Sequence, residues 1–345
     1  MKKLRTEDAL GQALCHDITA ITDGKQSALF KRGHVLRKDD VETLLNIGKE
    51  HVFVWDPEAD EVHEEEAAFL VTKLAAGPNS SYTGPSQGKY VLQADTDGLL
   101  RVNTRGLLCI NRVPDYTIAS LPDRMPVKRN MQLAGIRIVP LVTKRAHVEE
   151  AVRIAEAHAP LFTVKPYRPL KVGIIITGGE IFYGRRQDAF EPVLRKKLCP
   201  YGAEILGVTK CPDELPPIME ALSAYLSQGA ELVLFTGGMS VDPDDLTPTA
   251  IRQSGAALVR QGMPMQPGNM LTIAYLGDVP LIGIPSAAIH AKTTSLDIFL
   301  PRIFVGERIV ESDMRDVGEG GLCLNCEVCH YPICFLGRSP YPHDA

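Results

Sequence analysis

Residues 171–180 read KVGIIITGGE, an apolar run that ends in two glycines and a glutamate. The unbroken stretch 172–176 is typical of a strand that is buried on both faces of a parallel sheet. Helical patterns separate it from three more predicted strands, at 203–209, 231–235 and 280–284. This alternation predicts that residues 170–311 form an α/β domain with a doubly wound, mostly parallel sheet.

Two predicted helices of this domain begin next to a short polar residue. Asp213 precedes a stripe of apolar residues at helical spacing, and Ser286 precedes a long helix that is predicted to end near Val305. Side chains of this kind accept hydrogen bonds from the first free N–H groups of a helix. The sequence therefore predicts that Asp213 and Ser286 cap these helices.

The chain before this domain is predicted to fold as small modules. Residues 1–77 form an α+β module, in which a capping box is predicted to start a helix at Asp39. Residues 77–88 are rich in Gly, Pro and Ser, which predicts a linker. Residues 89–168 form a β-rich module with a helix, and residues 312–345 form a Cys-rich tail.

Composition narrows the classes of partner and compartment. The 345 residues carry a formal net charge of -5, so the alkaline balance typical of a nucleic-acid-binding protein is missing and no nucleic-acid partner is expected. No apolar stretch approaches 18 residues, and no signal peptide is recognisable at the N-terminus, so no membrane association is expected. The eight cysteines are spread unevenly, which favours reduced thiols in the cytoplasm.

The most unusual residues follow the predicted strands of the α/β domain. The first strand ends in Thr177-Gly178-Gly179-Glu180, and the third ends in Thr236-Gly237-Gly238-Met239-Ser240. In open α/β sheets, ligands bind outside the carboxyl ends of the strands. Glycines let the backbone approach a ligand, and free N–H groups at a helix start bind phosphate. The sequence therefore predicts an anion-binding site at this edge.

An acidic cluster, Asp242, Asp244 and Asp245, lies beside these glycines. Carboxylates repel a bare phosphate, so they suit a ligand only if Mg²⁺ lies between them and the anion, or if they accept hydrogen bonds from a heterocycle. A ligand with both a phosphate and a pterin-like ring would use both features. The alternative is that Asp244 and Asp245 only cap the helix predicted from Thr247.

The sequence has no well-known phosphate motif and no nucleophile elbow. Neither Gly-Gly turn matches G-x-G-x-x-G, and no G-x-x-x-x-G-K-[ST] occurs. A G-x-S-x-G occurs at residues 84–88, but it lies in the predicted linker and not between a predicted strand and helix, as an elbow requires. A dinucleotide-binding Rossmann site, a P-loop enzyme and a serine hydrolase are therefore disfavoured.

Taken in order, these loops resemble the molybdenum-cofactor biosynthesis domain shared by molybdopterin molybdotransferases, molybdopterin adenylyltransferases and the E domain of gephyrin. Residues 177–180 are similar to the T-G-[DS]-E loop of the molybdotransferase group, and residues 236–245 to its S-G-G-x-S-x-G-x-x-D loop. Asp213 matches the P-D-[DE] position, and residues 267–270 lie where that group has P-G-K-P.

The resemblance implies that the chain binds molybdopterin in molybdenum cofactor biosynthesis. It implies insertion of molybdate into free or adenylylated molybdopterin, with Mg²⁺, and a homo-oligomer. The candidate catalytic residues are Asp245, Asp244 and Glu180. The candidate cofactor-binding residues are Thr177, Gly178, Gly179, Asp213, Thr236, Gly237, Gly238, Ser240, Asp242, Pro267, Gly268, Asn269 and Ser286.

Three departures from the family pattern leave alternatives open. Asn269 replaces a lysine, Met270 replaces a proline, and residues 286–288 read S-A-A in place of G-N-P. Loss of the lysine removes a charge-assisted contact to an anion. One alternative is therefore a non-catalytic carrier or sensor of the cofactor that serves a molybdenum hydroxylase. A further alternative is a nucleotide pyrophosphatase of the competence-damage type, which shares this domain.

Four cysteines crowd the tail, at Cys323, Cys326, Cys329 and Cys334. Their C-x2-C-x2-C-x4-C spacing is close to a bacterial ferredoxin run but has one residue too many and lacks the following proline. Zinc held by four thiolates has the same donor set. The sequence therefore predicts a metal site in the tail, either an iron–sulfur cluster or zinc.

Overall fold

A computed structural model describes residues 1–22, 25–56, 60–239 and 245–338. The chain divides into two compact units. Unit 1 contains residues 1–96, 100–123 and 127–164, and unit 2 contains residues 97–99, 124–126 and those from 165 onward. Among the described residues, no helix is both long and apolar enough to cross a membrane.

Short strands dominate the chain as far as residue 166. In chain order the elements are β1 (Lys2–Arg5), β2 (Ile18–Thr22), β3 (Lys25–Phe30), α1 (Lys38–Asn46), β4 (His51–Val54), β5 (Glu61–His63), α2 (Glu64–Ala75), β6 (Ser80–Ser86), β7 (Lys89–Ala94), β8 (Gly98–Val102), α3 (Thr104–Ile110), β9 (Tyr116–Ser120), β10 (Pro126–Val127), β11 (Gln132–Ile138), β12 (Val142–Lys144), α4 (Arg145–His158) and β13 (Phe162–Pro166). In unit 1, β6, β7, β11 and β9 form a four-stranded antiparallel sheet in that order. A separate core near the N-terminus contains Leu14, Leu36, Leu44 and Val52.

Unit 2 alternates strands and helices. From residue 171 the elements are β14 (Lys171–Thr177), α5 (Gly179–Phe182), α6 (Phe190–Leu198), β15 (Glu204–Cys211), α7 (Leu215–Ser227), β16 (Leu232–Thr236), α8 (Thr247–Gln253), β17 (Ala257–Gln261), β18 (Thr272–Leu276), β19 (Val279–Ile284), α9 (Ala287–His290), α10 (Ser295–Phe304) and α11 (Glu311–Arg315). The six strands form one sheet in the order β15-β14-β16-β19-β18-β17. The pairs among β14, β15, β16 and β19 are parallel, and the pairs that involve β17 and β18 are antiparallel. The predicted α/β class and mostly parallel sheet are confirmed.

The central strands are apolar on both faces because each face is covered. In β14, Val172, Ile174 and Ile176 pack into one buried cluster, and Ile175 packs into the cluster on the other face. Burial on both faces explains why the strand has no alternation of apolar and polar residues.

A glycine in the middle of β14 makes room for an aromatic ring. A Cβ added to Gly173 would come within 2.5 Å of Cγ of Tyr225, which belongs to α7. On the neighbouring strand, a Cβ on Gly207 would come within 2.9 Å of the Tyr225 hydroxyl oxygen. The side chain of Tyr225 thus fills the space that two strand glycines leave open, and its hydroxyl lies 2.8 Å from Oγ1 of Thr209.

Some elements of unit 2 differ from the sequence prediction. Strands β17 and β18 were not expected. The single helix predicted from Ser286 to Val305 is two helices, because the Thr294 backbone N–H donates to the Asp297 carboxylate at 2.7 Å and starts α10 afresh. The predicted cap at Ser286 is wrong, since its side chain makes no capping hydrogen bond to α9.

Unit 1 also corrects three local predictions. Residues 80–86, inside the predicted linker, form β6 at the edge of the four-stranded sheet, where a proline is tolerated. The apolar segment 107–110, which predicts a strand, belongs to α3, and the Asn103 side chain accepts from the Gly106 N–H at that helix start. Helix α1 begins at Lys38, and Asp40 accepts the hydrogen bond from the Arg37 N–H.

The segment after α10 is anchored by buried charges. Arg302 contacts Asp313 at 2.8 Å and Glu307 at 3.1 Å, and Arg124 contacts Asp313 at 3.1 Å. Burial alone would raise the pKa of Asp313. Hydrogen bonds from Arg302 and the Val310 N–H, with the charges of Arg302 and Arg124, hold that pKa below its ordinary value. Residues 316–338, called the tail below, contain neither helix nor strand.

Candidate functional site at the sheet edge

The turns predicted to form the site begin at one edge of the unit 2 sheet. Ile176 pairs with Thr236, Thr236 pairs with Ile284, and Thr177 pairs with Cys211. Because these strands are parallel, the four segments that follow them leave from the same edge. Strand β18 runs the other way and pairs Thr272 with Gly283, so residues 267–270 also lie at this edge. We call residues 177–180, 211–213, 236–239 and 245–247 the edge loops.

The first edge loop approaches its neighbours through its backbone. Thr177 is buried, and Gly178 has a φ of 139°, which side chains rarely adopt. The Gly178 N–H donates to the Cys211 carbonyl at 3.2 Å. Glu180 is exposed, and its carboxylate lies over Gly178, where an added Cβ would come within 3.1 Å of Oε2.

Asp213 joins the first loop to the second. Its Oδ2 accepts the Gly179 N–H at 2.8 Å. Helix α7 begins at Leu215 and the residue before it is Glu214, so the prediction that Asp213 caps this helix is wrong. An added Cβ on Gly238 would lie 3.5 Å from Asp213 Oδ1, so the carboxylate lies between the two glycine turns.

Hydrogen bonds from buried threonine hydroxyls hold the third edge loop in place. Thr247 donates to the Gly237 carbonyl at 2.9 Å, and its Oγ1 lies 3.1 Å from Oγ1 of Thr177. Gly237 has a φ of 85°, and a Cβ there would overlap the Thr177 carbonyl oxygen. The close approach of β14 and β16 at this point therefore requires glycine.

Two buried oxygen atoms at this edge, Oγ1 of Thr236 and Oδ2 of Asp245, have no hydrogen-bond partner among the residues that the structure describes. Helix α8 begins at Thr247 and has no side-chain cap from the residue before it. A buried polar atom without a partner costs about 1–3 kcal/mol, and a ligand that supplies the partner would remove that cost. Ser240, Asp242 and Asp244 lie outside the described residues.

Cys211, at the end of β15, is buried at this edge. Burial raises the pKa of its thiol, and the charge of Glu220 acts in the same direction. A neutral buried thiol packs as a small apolar group and is a poor nucleophile. Cys211 therefore serves the structure of the edge.

The remaining predicted residues lie on the flank formed by 267–270 and 286. Ser295, at the start of α10, donates its N–H to the Pro267 carbonyl at 3.3 Å and its hydroxyl to the Gly268 carbonyl at 2.6 Å. Asn269 and Ser286 are exposed. No cation stands where the resemblance has a lysine, since residue 269 is an asparagine.

Sequence reasoning missed an aromatic and basic group beside the first loop. Tyr183 is 61% exposed, and its ring lies 3.8 Å from the position of a Cβ on Gly179. The Arg185 guanidinium lies 5.4 Å from the centre of that ring, and Arg186 is also exposed. The sequence F-Y-G-R-R at residues 182–186, two residues after the Gly-Gly turn ends, is a visible signal, because exposed aromatic and guanidinium groups suit an anionic heterocycle.

Two family models match the chain. Residues 173–304 match a model described as "Probable molybdopterin binding domain", and residues 3–56 match one described as a domain of unknown function (DUF8806). The first match spans β14 to α10 and includes every edge loop. It confirms the resemblance drawn from the loops for this segment of the chain.

The curated relatives include CinA-like proteins. One from Mycolicibacterium gilvum (strain PYR-GCK) is 35% identical over 126 residues, which cover 35% of this chain and 29% of the relative. One from Mycobacterium avium (strain 104) is 35% identical over 77 residues, which cover 22% of this chain and 18% of the relative. The chain thus spans less than a third of these relatives.

Solved structures with partial likeness include the molybdopterin biosynthesis enzyme MoaB from Thermus thermophilus. It is 25% identical, with a TM-score of 0.33, and the match covers 39% of this chain and 91% of that protein. The protein CinA from Thermoplasma acidophilum is 18% identical, with a TM-score of 0.32, over 35% of this chain and 90% of that protein.

Proposed function

From the premise that residues 173–304 form a domain of the molybdopterin-binding family, we propose that the edge loops bind molybdopterin in molybdenum cofactor biosynthesis. The observation that carries the proposal is the buried Oδ2 of Asp245, which has no hydrogen-bond partner among the described residues. A pterin ring carries N–H donors that a carboxylate of this kind would accept.

The edge loops divide the recognition of such a ligand. The glycine turns at Gly178 and Gly238 suit the phosphate, because glycine lets the ligand come close to the main chain. Asp213 and Asp245 suit the N–H groups of the heterocycle. Tyr183 offers a face for stacking, and Arg185 supplies the cation that residue 269 lacks.

A finer activity, insertion of molybdate into free or adenylylated molybdopterin, fits the acidic residues. Asp245, with Asp244 and Asp242, would hold Mg²⁺, which neutralises charge between carboxylates and oxyanions. Among the described residues no three His, Cys, Asp or Glu side chains form a group that could hold a metal ion, but two of these aspartates lie outside that range. Glu180, exposed above Gly178, would orient a water molecule or the dithiolene.

Each of two other functions is supported by one specific observation. The neutral, exposed Asn269 favours a non-catalytic carrier or sensor that serves a molybdenum hydroxylase, since binding needs fewer charges than turnover. The likeness to CinA-like proteins, at 35% identity over 126 residues, favours a nucleotide pyrophosphatase of the competence-damage type. A homo-oligomer stays a prediction under each of these functions.

Binding is tested by the affinity of the full chain for molybdopterin. We expect Asp245→Asn to weaken binding roughly 10- to 100-fold, the equivalent of one charge-assisted hydrogen bond of about 1.5–3 kcal/mol. The matched control is Asp278→Asn, because Asp278 is exposed in the turn before β19, at the opposite end of that strand. Equal affinity in all three proteins would refute the proposed site.

Activity is tested on the same preparations. Conversion of adenylylated molybdopterin that depends on molybdate and Mg²⁺ supports the transferase, and tight binding without turnover supports the carrier. Hydrolysis of ADP-ribose without affinity for molybdopterin supports the pyrophosphatase.

A further inference from the structure

The four tail cysteines line one cavity. Cys323, Cys326, Cys329 and Cys334 all contribute to its wall, and its volume is 320 Å³. The opposite wall comes from residues 290–293, between α9 and α10. None of the four cysteines is in a disulfide. Four free cysteines within 12 residues thus line one cavity, and none of the residues that line it belongs to the edge loops.

The tail backbone is fixed at both ends of the cysteine run. On the N-terminal side, the Cys323 N–H donates to the Gln266 carbonyl and the Gln266 N–H donates to the Gly321 carbonyl, each at 2.8 Å. On the C-terminal side, the Gly337 N–H donates to the Gly320 carbonyl at 3.0 Å. Between them, the hydroxyl of Tyr331 donates to the Asp297 carbonyl at 2.9 Å. The loop that carries the four cysteines is therefore closed by hydrogen bonds and held against the rest of unit 2.

The size of the cavity favours a cluster over a single ion. A zinc ion with four thiolates at about 2.3 Å would bring the sulfur atoms to roughly 3.8 Å from one another. Among the described residues no three Cys, His, Asp or Glu side chains form a group that could hold one metal ion. A cavity of 320 Å³ lined by four cysteines has room for a polynuclear cluster with inorganic sulfide.

The surroundings of the thiols also fit a cluster. Oγ1 of Thr293 lies 3.1 Å from Sγ of Cys329, and the Asn325 N–H donates to Sγ of Cys323 at 3.4 Å. Hydrogen bonds to cysteine sulfur are among the means by which proteins adjust iron–sulfur clusters. Lys292 lines the cavity as a cation, and Leu324 and Phe335 contribute apolar side chains to its wall.

We propose that the tail binds one iron–sulfur cluster through the thiolates of Cys323, Cys326, Cys329 and Cys334. The site does not depend on the proposed function of the edge loops. Binding replaces the four thiol protons by bonds from sulfur to iron, so protons are released as the cluster is loaded.

The test is metal and sulfide analysis of the full chain, purified without oxygen or reconstituted with ferrous iron and sulfide. We expect iron and acid-labile sulfide in equal molar amounts, with broad absorption in the visible range. Cys326→Ser should lose most of the iron, and Cys199→Ser, which removes an exposed cysteine outside the tail, should keep it. Circular dichroism of both variants shows whether unit 2 is still folded.

Several outcomes would overturn the proposal. They are zinc in place of iron, iron without sulfide, no metal after reconstitution, and equal iron in the Cys326→Ser protein and the wild type. Cys329→Ser serves as a second tail variant if Cys326→Ser fails to fold.

Discussion

Thr177 and Thr247 at the sheet edge are buried and bonded to each other, whereas Cys326 and Cys329 in the tail are exposed. The edge loops are extensions of strands whose core is already packed, so most of their backbone is held by the sheet. The tail has two anchored ends and exposed apolar residues between them, such as Val328 and Ile333, which are 67% and 69% exposed. A packed sheet thus positions the residues of a site through its own core, whereas the irregular tail is held mainly by hydrogen bonds at its two ends.

The largest change in stability is expected at the buried ion pair Arg302–Asp313, which lies between the sheet domain and the tail in the chain. Asp313→Ala should lower the free energy of unfolding by roughly 3–5 kcal/mol, because Arg302 would lose a buried partner. Chemical denaturation measures this change. The exposed pair Arg315–Asp316 is the control, and Asp316→Ala should cost less than about 1 kcal/mol. If tail and sheet unfold separately, Asp313→Ala should instead give two transitions.

The same carboxylate predicts a pH dependence. Its folded pKa lies below the ordinary value of 3.8, so its contribution is complete above that value and is lost as the pH falls through the folded pKa. Wild-type protein should therefore lose stability in acid below about pH 4 more steeply than Asp313→Ala. Parallel curves for the two proteins would show that Asp313 is not paired as described.

An intermediate effect is expected at the edge loops. Gly237→Ala should lower the free energy of unfolding by roughly 2–3 kcal/mol, because the new methyl group overlaps the Thr177 carbonyl and the φ of residue 237 is positive. It should also weaken molybdopterin binding. Gly202→Ala is a matched control, since Gly202 has a φ of 68° but nothing within 4 Å of the new Cβ, and should cost about 1 kcal/mol. Similar losses for both variants would mean that the edge is less tightly packed than the structure indicates.

The smallest effect is expected in the tail. Thr293→Val removes the hydroxyl next to Cys329 and should lower the free energy of unfolding by about 0.5–1.5 kcal/mol. Affinity for molybdopterin should not change, because Thr293 is not part of the edge loops. A large loss of affinity for molybdopterin would show that the tail and the edge loops do not act independently.

The sequence predicts what is set by local patterns and misses what depends on distant neighbours. The apolar stretch 172–176 predicts a strand, and β14 (Lys171–Thr177) contains it, since both faces of this strand are buried. Strand β17 is not predicted because it is the outermost strand of the sheet, where Ala257 and Leu258 are exposed and give no burial pattern. Asp213 was predicted as a helix cap, yet its partner is the N–H of Gly179, 34 residues away.

The candidate site was predicted in part. The glycine turns followed from the strands, and the register brings them to one edge. The Tyr183 and Arg185 pair was missed because tyrosine and arginine side chains are common on protein surfaces that bind nothing. That Asp245 Oδ2 has no partner among the described residues depends on how the loops pack, and a local residue pattern does not predict such packing.

Tyr225 and its two glycines have a consequence for how this chain can change. One ring occupies volume that belongs to positions 173 and 207 together, so a side chain at either position is tolerated only with a smaller residue at 225. In a set of related sequences, these three positions should covary across the strand and helix layers. Gly173→Ala combined with Tyr225→Ala should therefore be less damaging than the two separate losses would add up to.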